Sequence, residues 1–305
     1  MKTDIIIIGA GPAGLTAAIY ARRAGKSVKI IERSTFGGQM TYSPKIENYP
    51  AFEAISGIEL ADKMVTQALS LGAEIELEEV VSVVKNGEGD FTVTTTDGEH
   101  SAASVIIAAG AEHRRLGLEG EDDLIGNGVS FCAVCDGAFY AGQTVAVIGG
   151  GNSAVVEASL LAETSKKVVV VQNLSTLTAE SAAVDALLAH DNVEVICDTV
   201  VESYIVKDGA FSGLALKNAA GERSELIVDG VFIAIGLAPA NAPFSKVGAI
   251  DARGYIEAGE SCATGTDGVF AVGDCRTKAV RQISTATADG AVAAVSACRY
   301  LDSLK

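Results

Sequence analysis

The stretch Asp4–Arg33, DIIIIGAGPAGLTAAIYARRAGKSVKIIER, decides how this chain is read. The run Ile5 to Ile8 is too short for a helix and stops at a glycine, as a strand buried on both faces does. Thr16 to Arg23 follows helical spacing and Gly25 ends it, and Val28 to Ile31 reads as the next strand. Between strand and helix, Gly9-Ala10-Gly11-Pro12-Ala13-Gly14 fits G-x-G-x-x-G in the setting that motif requires. The first glycine permits a tight turn, the second lets a pyrophosphate approach the backbone, and the third lets helix and strand pack closely. The helix N-terminus adds N–H donors and partial positive charge. Glu32 ends the second strand where an acid binds ribose hydroxyls, with Arg33 beside it.

A second stretch, Gln143–Asn173, repeats the plan as QTVAVIGGGNSAVVEASLLAETSKKVVVVQN. Val145 to Ile148 is the strand, Ser153 to Ala162 the helix and Val168 to Val171 the second strand. Here Gly149, Gly151, Asn152, Ser153 and Ala154 make a G-x-G-x-x-A turn. Each copy is followed by an alternating stretch with turn signals, at Asn86-Gly87 and at Asp208-Gly209, that predicts a small antiparallel meander. Each then returns to an apolar strand ending in glycine, Gly110 and Gly236. The fold class is α/β, with two Rossmann-like dinucleotide-binding modules. Two such sites in one chain imply a flavin and a nicotinamide.

The second module lacks a specificity residue. An NAD site places Asp or Glu after the second strand, and an NADP site uses Arg for the 2′-phosphate. Here Gln172 and Asn173 stand in that place, and Lys166 and Lys167 precede the strand. A module that binds no nucleotide is the alternative reading, and it stays open on the sequence.

The 305 residues suffice for one large or two ordinary domains, and with 49% hydrophobic and 20% charged residues the chain should fold without disulfide help. A net charge of −16 excludes nucleic-acid binding and docking on an anionic membrane. The apolar start imitates a secretory leader, but Asp4 and the glycines of the turn interrupt it, so the expected compartment is the cytosol.

Of six cysteines, only Cys132 and Cys135 are closely spaced. Zinc needs four ligands, yet there is no second C-x-x-C, and His100, His113 and His190 are scattered singles. A structural disulfide across so small a loop contributes little and suits the cytosol poorly. Redox catalysis remains, and Asp136 beside the pair can supply a proton when a thiolate leaves. Cys197, Cys262, Cys275 and Cys298 sit in apolar or small-residue company as packing residues.

These motifs together resemble the low-molecular-weight thioredoxin reductases of bacteria and plants over essentially the whole chain. The matching blocks are GAGPAG (9–14), GGQ (37–39), IENYP (46–50), CAVCDGAFY (132–140), GGGNSA (149–154), VFAVGDC (269–275) and RQISTA (281–286). The resemblance implies an FAD domain of residues 1–111 and 243–305, interrupted by an NAD(P)H-binding-like domain of residues 112–242 that carries the C-x-x-C. It implies that FAD lies along Gly9–Gly14, with Asp274 on its ribityl chain and Gly38, Gln39, Asn48, Arg281 and Gln282 near the flavin. Ala109 and Gly110, after the returning strand, join that set. Cys135 would face the flavin, Cys132 would attack the partner disulfide, and Asp136 would donate the proton. A homodimer, hinges near Glu112–Arg115 and Pro239–Pro243, and a thioredoxin-like partner also follow.

The resemblance breaks at Gln172-Asn173-Leu174, where the family carries a His-Arg-Arg cluster for the NADPH 2′-phosphate. Val134 between the cysteines replaces the commoner Thr. The primary expectation is an FAD-dependent thioredoxin-disulfide reductase that takes electrons from NAD(P)H with unusual specificity. The alternatives are the same chemistry fed by ferredoxin, a dithiol oxidase that uses oxygen, and a non-enzymatic flavin redox sensor.

Overall fold

A computed structural model describes residues 2–43 and 45–305. They form two compact units, one of residues up to Glu112 together with Ala238–Lys305, the other His113–Leu237 inserted between those parts.

The first unit opens with β1 (Thr3–Ile8), α1 (Pro12–Arg23) and β2 (Val28–Glu32). Helix α1 starts at Pro12, four residues before the periodicity shows it, because proline at the first helical position has its φ preset and lacks only an N–H that would be unpaired there. After α2 (Gly57–Ser70) and β3 (Glu74–Leu77) come β4 (Val80–Gly87), β5 (Asp90–Thr95) and β6 (Glu99–Ile107). The sheet order is β3-β2-β1-β6-β5-β4. Pairing is parallel from β3 to β6 and antiparallel from β6 to β4. The first hairpin turns at Glu88-Gly89, with Gly87 opposite Asp90, so Asn86-Gly87 is strand and not the turn. Gly89 takes the positive φ that the turn needs, at 59°.

The chain crosses into the second unit along β7 (Glu112–His113) and returns along β16 (Leu237–Ala238); these two short strands pair with each other. Between them lie the short helix α3 (Glu121–Leu124), β8 (Val129–Ser130), α4 (Ala133–Asp136), β9 (Thr144–Ile148), α5 (Asn152–Ala162), β10 (Lys167–Val171), α6 (Ser181–Leu188) and β11 (Val193–Ile196). The meander β12 (Thr199–Lys207), β13 (Ala210–Asn218) and β14 (Arg223–Ile227) follows, then β15 (Gly230–Ile233). A parallel sheet has the order β11-β10-β9-β15-β8, and the meander is a separate three-stranded sheet. Its first turn is Asp208-Gly209, both with positive φ (53° and 81°), the geometry of a two-residue hairpin loop. The strand β17 (Val269–Ala271) then joins β6 in the first unit, and α7 (Ile283–Ser303) ends the fold.

The returning segment at 239–243 is tied to the first unit by Asn241. Its side chain is 2% exposed and donates to the carbonyls of Gly254 (2.9 Å) and Cys275 (2.7 Å).

Both parallel sheets are buried on two faces, which explains their unbroken apolar runs. Ile5 and Ile7 face the helices with Ala17, Leu60 and Ala293, while Ile6 and Ile8 pack with Phe91 and Val247. In the second unit, Val145 and Val147 face Ala158 and Leu161, while Ala146 and Ile148 pack with Phe211 and Leu214. The same alternation built twice is the structural form of the internal repeat.

Candidate functional site

In the first unit, the turn after β1 is shaped for close approach. Gly9 has φ 107°, and a side chain there would strike the Ala108 carbonyl. A Cβ on Gly14 would strike the carbonyl of Gly9, so only glycine lets α1 start against the turn. Gly11 is the N-cap, gives no side-chain bond to the helix, and a Cβ on it would meet nothing within 4 Å. The first-turn N–H groups of α1 are therefore unblocked by any cap, with Pro12 and Ala13 at its start.

Glu32 is buried and braces this turn. Its Oε2 accepts from the Ala10 N–H (2.7 Å) and its Oε1 from the Ser34 N–H (3.0 Å). Arg33 pairs with Glu112 at the surface. The Gly37 N–H bonds the Ala10 carbonyl (2.8 Å), and a Cβ on Gly38 would lie 3.3 Å from the Gly11 Cα. The 3₁₀ turn Gly38–Tyr42, with Gln39 exposed on it, therefore sits beside the glycine turn. Asn48 Nδ2 donates to Gln282 Oε1 (3.2 Å). Gln282 caps α7 in a box with Thr285, and Arg281 stacks on Tyr255 with its guanidinium carbon 4.2 Å from the ring centre. Ala109 and Gly110 follow β6, and Gly110 has φ 67°.

Asp274 supplies the clearest test for a bound group. Its Oδ1 is buried and has no partner among the described residues. Burial holds the carboxyl above its ordinary range, with Lys278 and Arg281 acting the other way. An orphaned acceptor beside an uncapped helix N-terminus fits the hydroxyl-and-pyrophosphate chemistry of FAD. Behind it, Asp289 accepts two bonds from Arg276 (2.7 and 2.8 Å), one from Lys278 (2.8 Å) and one from the Gly273 N–H (2.9 Å). Sequence reading missed this knot, since nothing in the spacing of Arg276 and Asp289 announces a pair.

In the second unit, Gly149 has φ 128° and Gly151 is the N-cap of α5. Asn152 and Ser153 are exposed and Ala154 is buried. Gln172 is 4% exposed and turned inward: a Cβ on Gly150 would strike its side chain. It donates to the Thr176 carbonyl (3.3 Å) and accepts from the Asn173 N–H (3.1 Å). Gln172 thus packs the turn instead of presenting itself to a nucleotide, while Asn173 and Leu174 are exposed. Thr178 and Glu180 fasten the next segment to the turn through the Gly150 carbonyl (2.7 Å) and Asn152 Oδ1 (2.8 Å).

Cys132 and Cys135 are joined in a disulfide. Cys132 is the N-cap of α4, and its Sγ accepts from the Cys135 N–H at 3.2 Å. A thiolate formed there keeps that donor, which favours Cys132 as the nucleophile. Asp136 ends α4. Its Oδ2 accepts from Ser130 Oγ (2.6 Å), and Ser130 Oγ accepts from the Cys132 N–H (3.1 Å). Asp136 Oδ1 is buried without a partner among the described residues. Burial raises the Asp136 carboxyl despite the Ser130 bond, the direction a proton donor needs. Sequence reading found Asp136 by adjacency but missed Ser130, which reaches it from β8.

Cys262, Cys275 and Cys298 are buried and free, and Cys197 is half-buried. Burial pushes the Cys262 and Cys275 thiols to about 11. His113 stacks on Phe131, and burial lowers it to about 4. His100 is not isolated: it lies 2.9 Å from Glu78 and 3.6 Å from Glu76. Lys29 (2.5 Å, to Glu76) and Thr95 (2.5 Å, to Glu78) complete an ordinary ion-pair network there. Among the described residues, no helix is long and apolar enough to cross a membrane.

A family model described as pyridine nucleotide-disulphide oxidoreductase matches residues 3–290. The chain belongs to this family. It is 43% identical over 303 residues to the thioredoxin reductase of Bacillus subtilis, covering 99% of this chain and 96% of that one. It is 40% identical over 304 residues to the thioredoxin reductase of Treponema pallidum, covering 99% and 98%. The crystal structure of thioredoxin reductase from Streptococcus pyogenes superposes with a TM-score of 0.94 at 41% identity, covering 99% of both chains. These relatives favour the reductase over the oxidase and the sensor, and lend no support to ferredoxin as donor.

Proposed function

We propose that this protein is an FAD-dependent thioredoxin-disulfide reductase of the cytosol, working as a homodimer. The observation that carries the proposal is the Cys132–Cys135 disulfide capping α4, with Ser130 and Asp136 behind it. The thioredoxin reductases of similar length and fold support it. Gly9, Gly11, Pro12, Ala13 and Gly14 would hold the cofactor pyrophosphate, Glu32 and Arg33 would serve its adenosine end, and Asp274 would accept from a cofactor hydroxyl. Gly38, Gln39, Asn48, Ala109, Gly110, Arg281 and Gln282 would hold the flavin end. FAD bound there supplies a two-electron carrier.

In the second unit, reduction of the disulfide takes up two electrons and leaves Cys132 as a thiolate held by the Cys135 N–H. That thiolate attacks a partner disulfide. Cys135 then attacks the mixed disulfide, which re-forms the internal bond and releases the partner as a dithiol. Asp136, whose carboxyl burial raises above its ordinary range, gives its proton to the sulfur that must leave.

The donor is a nicotinamide dinucleotide held at Gly149, Gly151, Asn152, Ser153 and Ala154, without preference for the 2′-phosphate. Residues 172–180 contain no Lys or Arg, and Gln172 is committed to packing. Anaerobic titration with NADPH and with NADH, followed by thioredoxin turnover, tests this. NADPH should hold no advantage in KM; a hundredfold lower KM for NADPH would reverse the assignment.

A further inference from the structure

Two aromatic rings meet beside the redox pair. His113 is the second residue of β7, the strand by which the chain enters the second unit, and Phe131 is the residue before Cys132. Their ring centres are 5.1 Å apart and their planes 28° from parallel. At that spacing and tilt, ring pairs attract beyond their buried area. Both side chains are half-buried, and Phe131 also packs against the core formed by Val129, Phe211 and Val231.

The strand pairing explains why they meet. Strand β8 lies along β15, with Val129 beside Val231 and Ser130 beside Phe232. The chain then runs from β15 to Gly236, whose carbonyl accepts from the N–H of Arg114, the residue after His113 (2.9 Å). One stretch of backbone therefore holds β8 near its start and β7 near its end, and it brings His113 alongside Phe131.

The residue so clamped lies between the two that set the redox geometry. Ser130 Oγ accepts from the Cys132 N–H (3.1 Å) and donates to Asp136 Oδ2 (2.6 Å). Cys132 Sγ accepts from the Cys135 N–H (3.2 Å). The peptide planes on either side of Phe131 carry Ser130 and Cys132, so a fixed ring at 131 restrains both. Burial lowers the His113 imidazole to about 4, so at neutral pH the stack joins two neutral rings and brings no charge to Phe131.

We propose that His113 is a positioning residue for the dithiol reaction: its ring, stacked on Phe131, holds the Ser130–Cys132 backbone so that the sulfur stays on the Cys135 N–H and the acid stays on Ser130. The proposal rests on the redox role given to Cys132, Cys135 and Asp136 above. His113 acts through Phe131 and exchanges no proton in the reaction.

The test is a double-mutant cycle on the holoenzyme, with His113→Ala, Phe131→Leu and both together, and with His113→Phe as the conservative variant. Each protein is reduced anaerobically and mixed with a range of oxidised thioredoxin concentrations in a stopped-flow instrument. Each single variant should lower the limiting rate of thioredoxin reduction about fivefold, the scale of one lost ring pair, with the half-saturating thioredoxin concentration and FAD content unchanged. The double variant should be no slower than either single one, and His113→Phe should return to about the wild-type rate. Losses that multiply in the double variant, a wild-type rate in His113→Ala, or a His113→Phe protein as slow as His113→Ala would each overturn the proposal. If His113→Ala does not fold, Phe131→Tyr set against Phe131→Leu asks the same of the other ring: Tyr should keep the wild-type rate and Leu should not, and equal rates would overturn the proposal. Wild-type protein unable to reduce thioredoxin would overturn the redox reading and this proposal with it, whereas an active wild type with multiplying losses overturns the ring pairing alone.

Discussion

At the residue scale, the proposed redox chemistry turns on Ser130. One hydroxyl fixes the Cys132 N–H and the Asp136 carboxylate together, so it sets both the start of α4 and the aim of the acid. Replacing Ser130 with Ala removes the one bond that favours ionised Asp136, so its pKa should rise further and its orientation loosen. Asp136→Asn should lower turnover by about a hundredfold with FAD content unchanged, the scale of a lost general acid. The pH sign follows from the raised pKa: the acid is competent at low pH and is lost as pH rises through its folded value. The alkaline fall in turnover should therefore move upward in Ser130→Ala and vanish in Asp136→Asn. Steady-state turnover from pH 5 to 9 reads both; an unmoved alkaline limb in Asp136→Asn would give the acid's role to another group.

At the element scale, α7 and the segment that precedes it form a buried ion cluster. Asp289 on α7 faces Arg276 and Lys278, with side chains only 10%, 11% and 6% exposed. Burial opposes its ionisation, yet the bonds from Arg276 and Lys278 outweigh that and hold the carboxyl below its ordinary range. Asp289→Asn leaves two buried cations without their counter-ion and should destabilise the unit by about 3 kcal/mol. A depressed pKa means the stabilisation is present above the ordinary carboxylate range and is lost as pH falls through the folded value. The gap between wild type and Asp289→Asn in urea unfolding should therefore narrow below about pH 4. A gap that stays constant with pH would assign the effect to packing.

The elements themselves were legible wherever one physical signal dominated. Four isoleucines before a glycine can only be a doubly buried strand in this context, and the valines 168–171 repeat the message. Helix α1 began early because apolar periodicity cannot show a first turn that proline starts. The Asn86-Gly87 pair gave a strong turn signal, but the β4–β5 register carries it into the strand and hands the turn to Glu88-Gly89. Gln172 was illegible for a different reason. Whether a polar side chain at a strand end or on a helix faces solvent or a neighbouring element is decided by what packs there. The sequence around Gln172 holds no trace of Gly150.

At the scale of the whole molecule, one glycine-turn module serves two ends. The first unit keeps an uncapped helix N-terminus and an orphaned acid at Asp274, the chemistry of cofactor binding. The second turns its specificity position inward and places a disulfide at the start of a short helix. The account therefore needs every electron that reaches thioredoxin to pass through Cys132 and Cys135. The most direct test is Cys135→Ser holoenzyme under anaerobic conditions with NADH or NADPH and oxidised thioredoxin. The account predicts normal FAD content and donor-dependent loss of flavin absorbance, with thioredoxin left oxidised. Thioredoxin reduced at the wild-type rate by that variant would contradict it.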